Sequence, residues 1–181
     1  DAIAGLMPCS SGRITLNGQD ITHSTVRDRI NAGIAYIPED RHNVGLVLDF
    51  TLRDNFPLRQ YYNPQYSSRG VISESAFNEQ GKKLLERYDI RSSQGNATIT
   101  RSMSGGNQQK AIVAREIDMQ TPLIIFMQPT RGLDAGAVMN IHRQIIAERD
   151  RGAAVLLISL DLDEILDCAD TIAVIYSGSI N

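Results

Sequence analysis

Tryptophan is absent from this chain, and aromatic residues make up only 6% of it. That leaves no obvious stacking platform for bases. A basic surplus is missing too: 18 Lys and Arg stand against 21 Asp and Glu, for a formal net charge of -3. There is accordingly no electrostatic footprint for DNA, RNA or an anionic lipid surface. Cysteine is scarce. Cys9 and Cys168 lie at opposite ends of the sequence, outside any CxxC or Cys/His cluster. Neither a disulfide framework nor a zinc site is supported, and reduced cytosolic thiols are the plain reading. His23, His42 and His142 are scattered without metal-ligand spacing, so they read as surface or structural residues. Long hydrophobic runs are lacking as well. The longest, 122–127 and 153–158, have strand length, far short of the roughly 20 residues that span a bilayer. No signal-peptide pattern opens the chain, which starts at Asp1.

What is present is an ordinary globular mix, 42% apolar and 22% charged over 181 residues, long enough for one domain with a full core. Residues 12–18 alternate apolar and polar between glycines, which predicts an exposed strand and turn. A helix over 27–32 ends at Gly33, and Ile34–Ile37 follows as a short strand stopped by Pro38. Thr51 is an N-cap candidate that opens a helix, and 61–70 reads as a loop. Over 73–88, Ala76, Phe77, Leu84 and Leu85 recur at helical spacing. Residues 98–103 lead into a further helix through 111–114. From Pro122 the rhythm changes. Strands at Leu123–Met127, Ala154–Ile158 and 171–175 alternate with helices at 137–149 and Leu162–Cys168. Continuous apolar strands alternating with helices predict a parallel sheet covered on both faces. Asp161, Asp163, Glu164 and Asp167 read as a charged face near a helix start, where the dipole favours acids. Tyr61, Tyr62 and Tyr66 read as packing a long loop against neighbouring helices, with contact to a membrane partner as the alternative.

Two segments carry chemistry. Met103-Ser104-Gly105-Gly106-Asn107-Gln108-Gln109-Lys110 places a serine and two glycines at a helix start. Free backbone N–H groups and a positive dipole end suit a phosphate there, although a plain Ser N-cap with a Gly-rich turn gives the same pattern. Gln128-Pro129-Thr130-Arg131-Gly132-Leu133-Asp134 follows a buried strand directly. The carboxyl ends of parallel strands are where open sheets bind ligands.

In this order and setting the two segments resemble the nucleotide-binding domain of ATP-binding cassette transporters. Ser104 to Lys110 is similar to the family signature, with Asn107 where Gln is commonest, and Pro129 to Asp134 is similar to the loop after the Walker B strand, with Asp134 as the D-loop aspartate. The stretches 12–18, 35–41 and 176–180 also resemble family segments. Pro38-Glu39-Asp40-Arg41 followed by Gly45-Leu46 resembles the second cassette of tandem ATPases that drive simple-sugar and nucleoside uptake. Residues 128–134 and 159–165 resemble the nucleoside branch most. The resemblance implies an α/β fold of the P-loop NTPase (RecA-like) kind, a three-layer core with an inserted α-helical subdomain and its N-terminal part missing. The core would comprise 1–49 and 118–181, and the helical signature subdomain 50–117.

The departures from the family pattern matter as much. No Walker A loop occurs in the sequence, so the chain is expected to start inside or just after the helix that follows that loop. Met127 and Gln128 stand where the family has its Asp-Glu pair, Leu160 at the switch-histidine position and Glu39 at the Q-loop glutamine. Met is a poor partner for a hard cation. A neutral Gln orients water without taking its proton, a loss of about 10²–10⁴ in rate. Arg41 either offsets the Glu39 charge or is a solvated surface charge. In this family two cassettes pair head to tail, each ATP lying between the Walker motifs of one and the signature of the other. The resemblance therefore implies an asymmetric pair that uses ATP and Mg²⁺. This half's own site is degenerate, while Ser104, Gly105, Gly106 and Gln108 contact ATP phosphates in trans at the partner site. No metal ligand is expected here, and the fragment alone is expected to be inactive. Expected partners are the N-terminal cassette of the same subunit, transmembrane permease subunits, and indirectly an extracytoplasmic solute-binding protein. The expected location is peripheral, at the cytoplasmic face of the cell membrane. Val44, Leu46, Val47 and Leu48 form either a permease groove or an ordinary core edge. Two alternatives stand beside this reading: a soluble cassette ATPase acting on nucleic acid or the ribosome, disfavoured by the acidic balance, and a non-catalytic dimerisation module.

Overall fold

Polar side chains open the helices where the sequence puts them: Thr25, Thr51, Ser73, Ser104, Asp134 and Asp161 each accept a hydrogen bond from a backbone N–H in the first turn. The computed structural model describes residues 1–180. A hairpin of β1 (Thr15–Leu16) and β2 (Gln19–Asp20) precedes α1 (Val26–Asn31) and β3 (Ile34–Ile37). A π-helical turn, Arg41–Gly45, leads to α2 (Leu52–Asn55) and a second hairpin, β4 (Ser67–Ser68) and β5 (Val71–Ile72). Next come α3 (Glu74–Arg87) and α4 (Gly105–Asp118), then β6 (Leu123–Met127), α5 (Ala135–Asp150) and β7 (Ala154–Ile158). The chain closes with α6 (Leu162–Cys168) and the hairpin of β8 (Ile175–Tyr176) and β9 (Ser179–Ile180). No helix among the described residues is long and apolar enough to cross a membrane.

The sheet is parallel, in the order β3-β6-β7. Its side chains alternate between faces, as the strand period requires. Ala35, Ile37, Ile124 and Phe126, with Val155 and Leu157, turn to one face and meet Ile112, Ile141, Ile145 and Cys168 from α4, α5 and α6. Ile34, Tyr36 and Ile125, with Leu123 and Leu156, turn to the other and meet Ile3, Ala4, Ile14 and Ile21. Full burial of Phe126, Ile112 and Leu84 contributes about 1.5–3 kcal/mol for each side chain. Gly33, at φ +98, leads into β3 so close to the β6 entry that a Cβ on it would lie 2.5 Å from the Pro122 ring.

The free edge of β3 is occupied by an ion pair rather than a strand. Glu116, on α4 and fully buried, accepts from Tyr36 N at 3.2 Å, while Arg59 donates to Ile34 O at 3.3 Å and pairs with Glu116. Arg115 donates to the second Glu116 oxygen at 2.9 Å. Donor and acceptor thus stand where a neighbouring strand would offer its own.

Four expectations change. The predicted strand at 171–175 is not in the sheet: only Ile175 is in a strand, paired with β9, and Ile172 and Val174 are exposed. An apolar run becomes a strand only where a neighbour offers backbone partners, and among the described residues none pairs with 171–174. The predicted loop 61–70 ends in a hairpin, turned at Arg69 and Gly70, both at positive φ. Glu164 is not on a solvated face. It is buried against His142 at 3.5 Å, with both carboxylate oxygens lacking a hydrogen-bond partner. Of the three loop tyrosines only Tyr66 is buried, edge-on to Phe77 of α3; Tyr61 and Tyr62 instead gather around Arg27.

Candidate functional site

The parallel register brings three loops to one end of the sheet. Ile37 pairs with Phe126 and Met127 with Ile158, so Glu39, Gln128 and Leu160 leave the strands side by side. Gln128, at φ +49, turns the chain out of β6 and donates its N–H to Ile158 O at 2.8 Å. Met127 points its sulfur at the Tyr36 hydroxyl, 3.4 Å away. Leu160 is 92% exposed, an apolar tip with nothing to offer a phosphate. Glu39 is paired with Arg131 from the loop after β6. The basic group that offsets the acid is therefore Arg131, whereas Arg41 lies beside Gly132. The strand-end positions themselves hold Met127, Gln128 and Leu160, none of which offers a carboxylate to a hard cation, so the residues present there do not fit magnesium. No group of three His, Cys, Asp or Glu side chains among the described residues is placed to hold a metal ion.

The second cluster forms where two helix starts converge. Ser104 caps α4 and Asp134 caps α5, accepting from Ala137 N at 3.0 Å. A side chain built on Gly106 would come within 3.9 Å of the Asp134 carboxylate, and one on Gly105 would meet nothing within 4 Å. The approach to the first turn of α4 is open. Ser104 Oγ accepts from Asn107 N at 3.5 Å and from Asn107 Nδ2 at 3.0 Å. With both lone pairs engaged, its remaining capacity is the O–H donor. Open glycine N–H groups and that hydroxyl point the same chemistry outward, toward an anion. Lys110 takes no part, since its ammonium is held by Asp89 O at 2.7 Å.

Gln108 departs from the role expected of it. It is 4% exposed, and its amide is turned inward. Nε2 donates to Thr100 O at 3.0 Å and Oε1 faces His42 Nε2 at 3.0 Å. The cause is the pair of contacts at its two ends, which draw the amide toward His42 and the Thr100 backbone and away from the open helix start. The contacts of Gln108 with His42, of Ser104 with Asn107 and of Glu39 with Arg131 escaped the sequence reading. Only the second is local enough to leave a signal, an amide three residues after a capping serine.

The family model for ABC transporters matches residues 1–131. The chain belongs to the ABC transporter family. This cassette is 47% identical, over 180 residues, to the guanosine import ATP-binding protein NupO of Bacillus subtilis, covering 99% of the cassette and 35% of that protein. It is 47% identical over 179 residues to the nucleoside import ATP-binding protein NupA of Lactococcus lactis, with the same coverage. The cassette thus spans about a third of the length of the curated relatives it matches. Among solved structures, an ATP-binding cassette of an ABC transporter in its ADP conformation aligns with a TM-score of 0.73 at 21% identity, covering 99% of this chain and 71% of that one. The likeness gives the cassette the mixed α/β fold of the ABC ATPases, built on a parallel sheet.

Proposed function

We propose that this cassette is the C-terminal half of the ATP-binding subunit of an importer for nucleosides or simple sugars. Its signature completes the ATP site of the partner cassette, and its own site is degenerate. The observation that carries this reading is the contrast within one chain. Ser104, Gly105 and Gly106 present donors on an open helix start, while Met127, Gln128 and Leu160 stand where the sheet would need an acid pair and a histidine. The 47% identity to guanosine and nucleoside import proteins supports the solute class. The Ser104 hydroxyl and the first N–H groups of α4 donate to phosphate oxygens of ATP seated on the partner cassette. Asp134 caps α5 beside them. Gln108 serves from behind, as a brace. Magnesium, in this reading, is held by the partner cassette.

The same reading treats 1–49 and 118–181 as the ATPase core and 50–117 as the helical signature subdomain. It is supported by the absence of any strand of the parallel sheet between β3 and β6. Of the residues read as a permease groove, Val44 and Val47 are exposed, and the permease docks there. Leu46 is buried and belongs to the core. The subunit works peripherally at the cytoplasmic face of the membrane, with permease subunits and, through them, a solute-binding protein.

The test is the ATPase rate of the two-cassette subunit carrying Ser104→Arg. A fall of about 100-fold or more is expected from filling an anion site with a guanidinium and losing its donors. A rate that survives the substitution rejects the reading.

A further inference from the structure

We propose that His42 is a positioning residue for the signature helix, holding the Ser104 turn through Gln108; the inference rests on the signature reading above. The direction of the hydrogen bond follows from the amide. Gln108 Nε2 is committed to Thr100 O, so Oε1 faces His42 and the imidazole donates through Nε2–H.

His42 sits in a turn built to hold its place. Asp40 accepts from His42 N and Asn43 N, both at 3.0 Å, and from Asn43 Nδ2 at 2.8 Å. Gly45 N donates to Asp40 O at 2.9 Å and Leu46 N to Arg41 O at 2.9 Å. On the inner side, a Cβ on Gly45 would lie 2.6 Å from Ile112 Cδ1. The turn therefore rests directly on α4, one helical turn beyond Gln108. On the outer side it carries Val44 and Val47 into solvent.

Thr100, the other partner of Gln108, is fixed by the same neighbourhood. Thr100 N donates to Phe50 O at 3.0 Å, Arg101 N to Leu48 O at 2.9 Å and Leu52 N to Thr98 O at 3.0 Å. Gln108 thus bridges the turn that follows Glu39 and the 3₁₀ turn, Thr100–Ser102, that runs into Ser104. His42 is the solvent-exposed end of that bridge. Removing its donor releases Oε1 and frees the first turn of α4 to shift against the loop after β3. It takes no group away from the anion site itself.

The experiment uses the two-cassette subunit with His42→Ala and His42→Gln. Steady-state ATPase kinetics should show KM for ATP raised about fivefold in His42→Ala, the size of one lost hydrogen bond, with kcat within about twofold. His42→Gln, whose amide donates at similar reach, should restore KM. Hydrogen exchange of the peptide covering 104–112, measured in the same proteins without nucleotide, should quicken about fivefold in His42→Ala and return in His42→Gln. An unchanged KM, or a KM change that Gln does not rescue, overturns the proposal. If the wild-type subunit hydrolyses no ATP, the functional reading fails by itself. The exchange comparison then decides the positioning role alone, with unchanged exchange in His42→Ala overturning it.

Discussion

The two ends of this cassette's chemistry are built in opposite ways. The signature helix α4 is anchored along its length: His42 and Thr100 hold Gln108, Ile112 packs under Gly45, and Glu116 is locked between Arg59, Arg115 and the β3 backbone. The strand ends carry Met127, Gln128 and Leu160, and the ion pair beside them, Glu39 with Arg131, is largely exposed. On the function proposed above, buried anchoring lies where the helix presents donors in a fixed direction. It is absent where the residues present cannot hold a cation or take a proton. A site that only lends its donors needs direction, and direction comes from the helix's supports rather than from the donors themselves.

The contrast can be broken or sharpened by substitution. The largest stability change is expected from Glu116→Ala. It strands two guanidinium groups in the interior and should cost about 3–5 kcal/mol in urea unfolding. Glu39→Gln, on the exposed pair, should cost no more than about 1 kcal/mol in the same measurement. Equal losses would mean that the strand-end pair is as deeply anchored as the helix. In the two-cassette subunit, Gln128→Ala should change the ATPase rate by less than about twofold, because a neutral amide takes no proton there. A loss as large as that expected of Ser104→Arg would place catalytic work back on this half.

The smallest effect is a pH dependence. Hydrogen bonds from the Asn43 side chain first, then from the Asn43 backbone, hold the Asp40 carboxyl below its ordinary range. Its contribution to the turn is present above the ordinary carboxylate pKa and is lost as pH falls through the lowered value. Amide exchange at His42 and Asn43, corrected for intrinsic rates, should therefore stay flat at neutral pH and rise only in acid. A rise near neutrality would show that another group holds the turn.

Much of this architecture was legible in the sequence because it is written in local patterns. Consecutive apolar residues marked β3, β6 and β7, and the capping residues Thr51 and Ser104 marked the starts of α2 and α4. Asp134 moved the start of α5 two residues ahead of the predicted 137. The run at 171–175 misled because strand formation depends on a neighbour, which a run cannot encode. The Glu116 network was out of reach, since Arg59 and Glu116 are 57 residues apart with nothing local to link them. The contacts of Gln108 were out of reach for a related reason: His42 lies 66 residues away, and nothing local marks it as the partner of this amide.

The ion pair on the outer side of β3 gives lateral growth of the sheet a direction. Edge strands recruit further strands through unpaired backbone groups. On β3 the Tyr36 N–H and the Ile34 carbonyl are already engaged by side chains that cannot propagate a ladder. β7, at the opposite end of the order, pairs with β6 alone among the described residues. Any polypeptide that extends this sheet, whether it belongs to the assembly or arrives by accident, is therefore steered to β7, and the molecule is polar as a template before any partner is present.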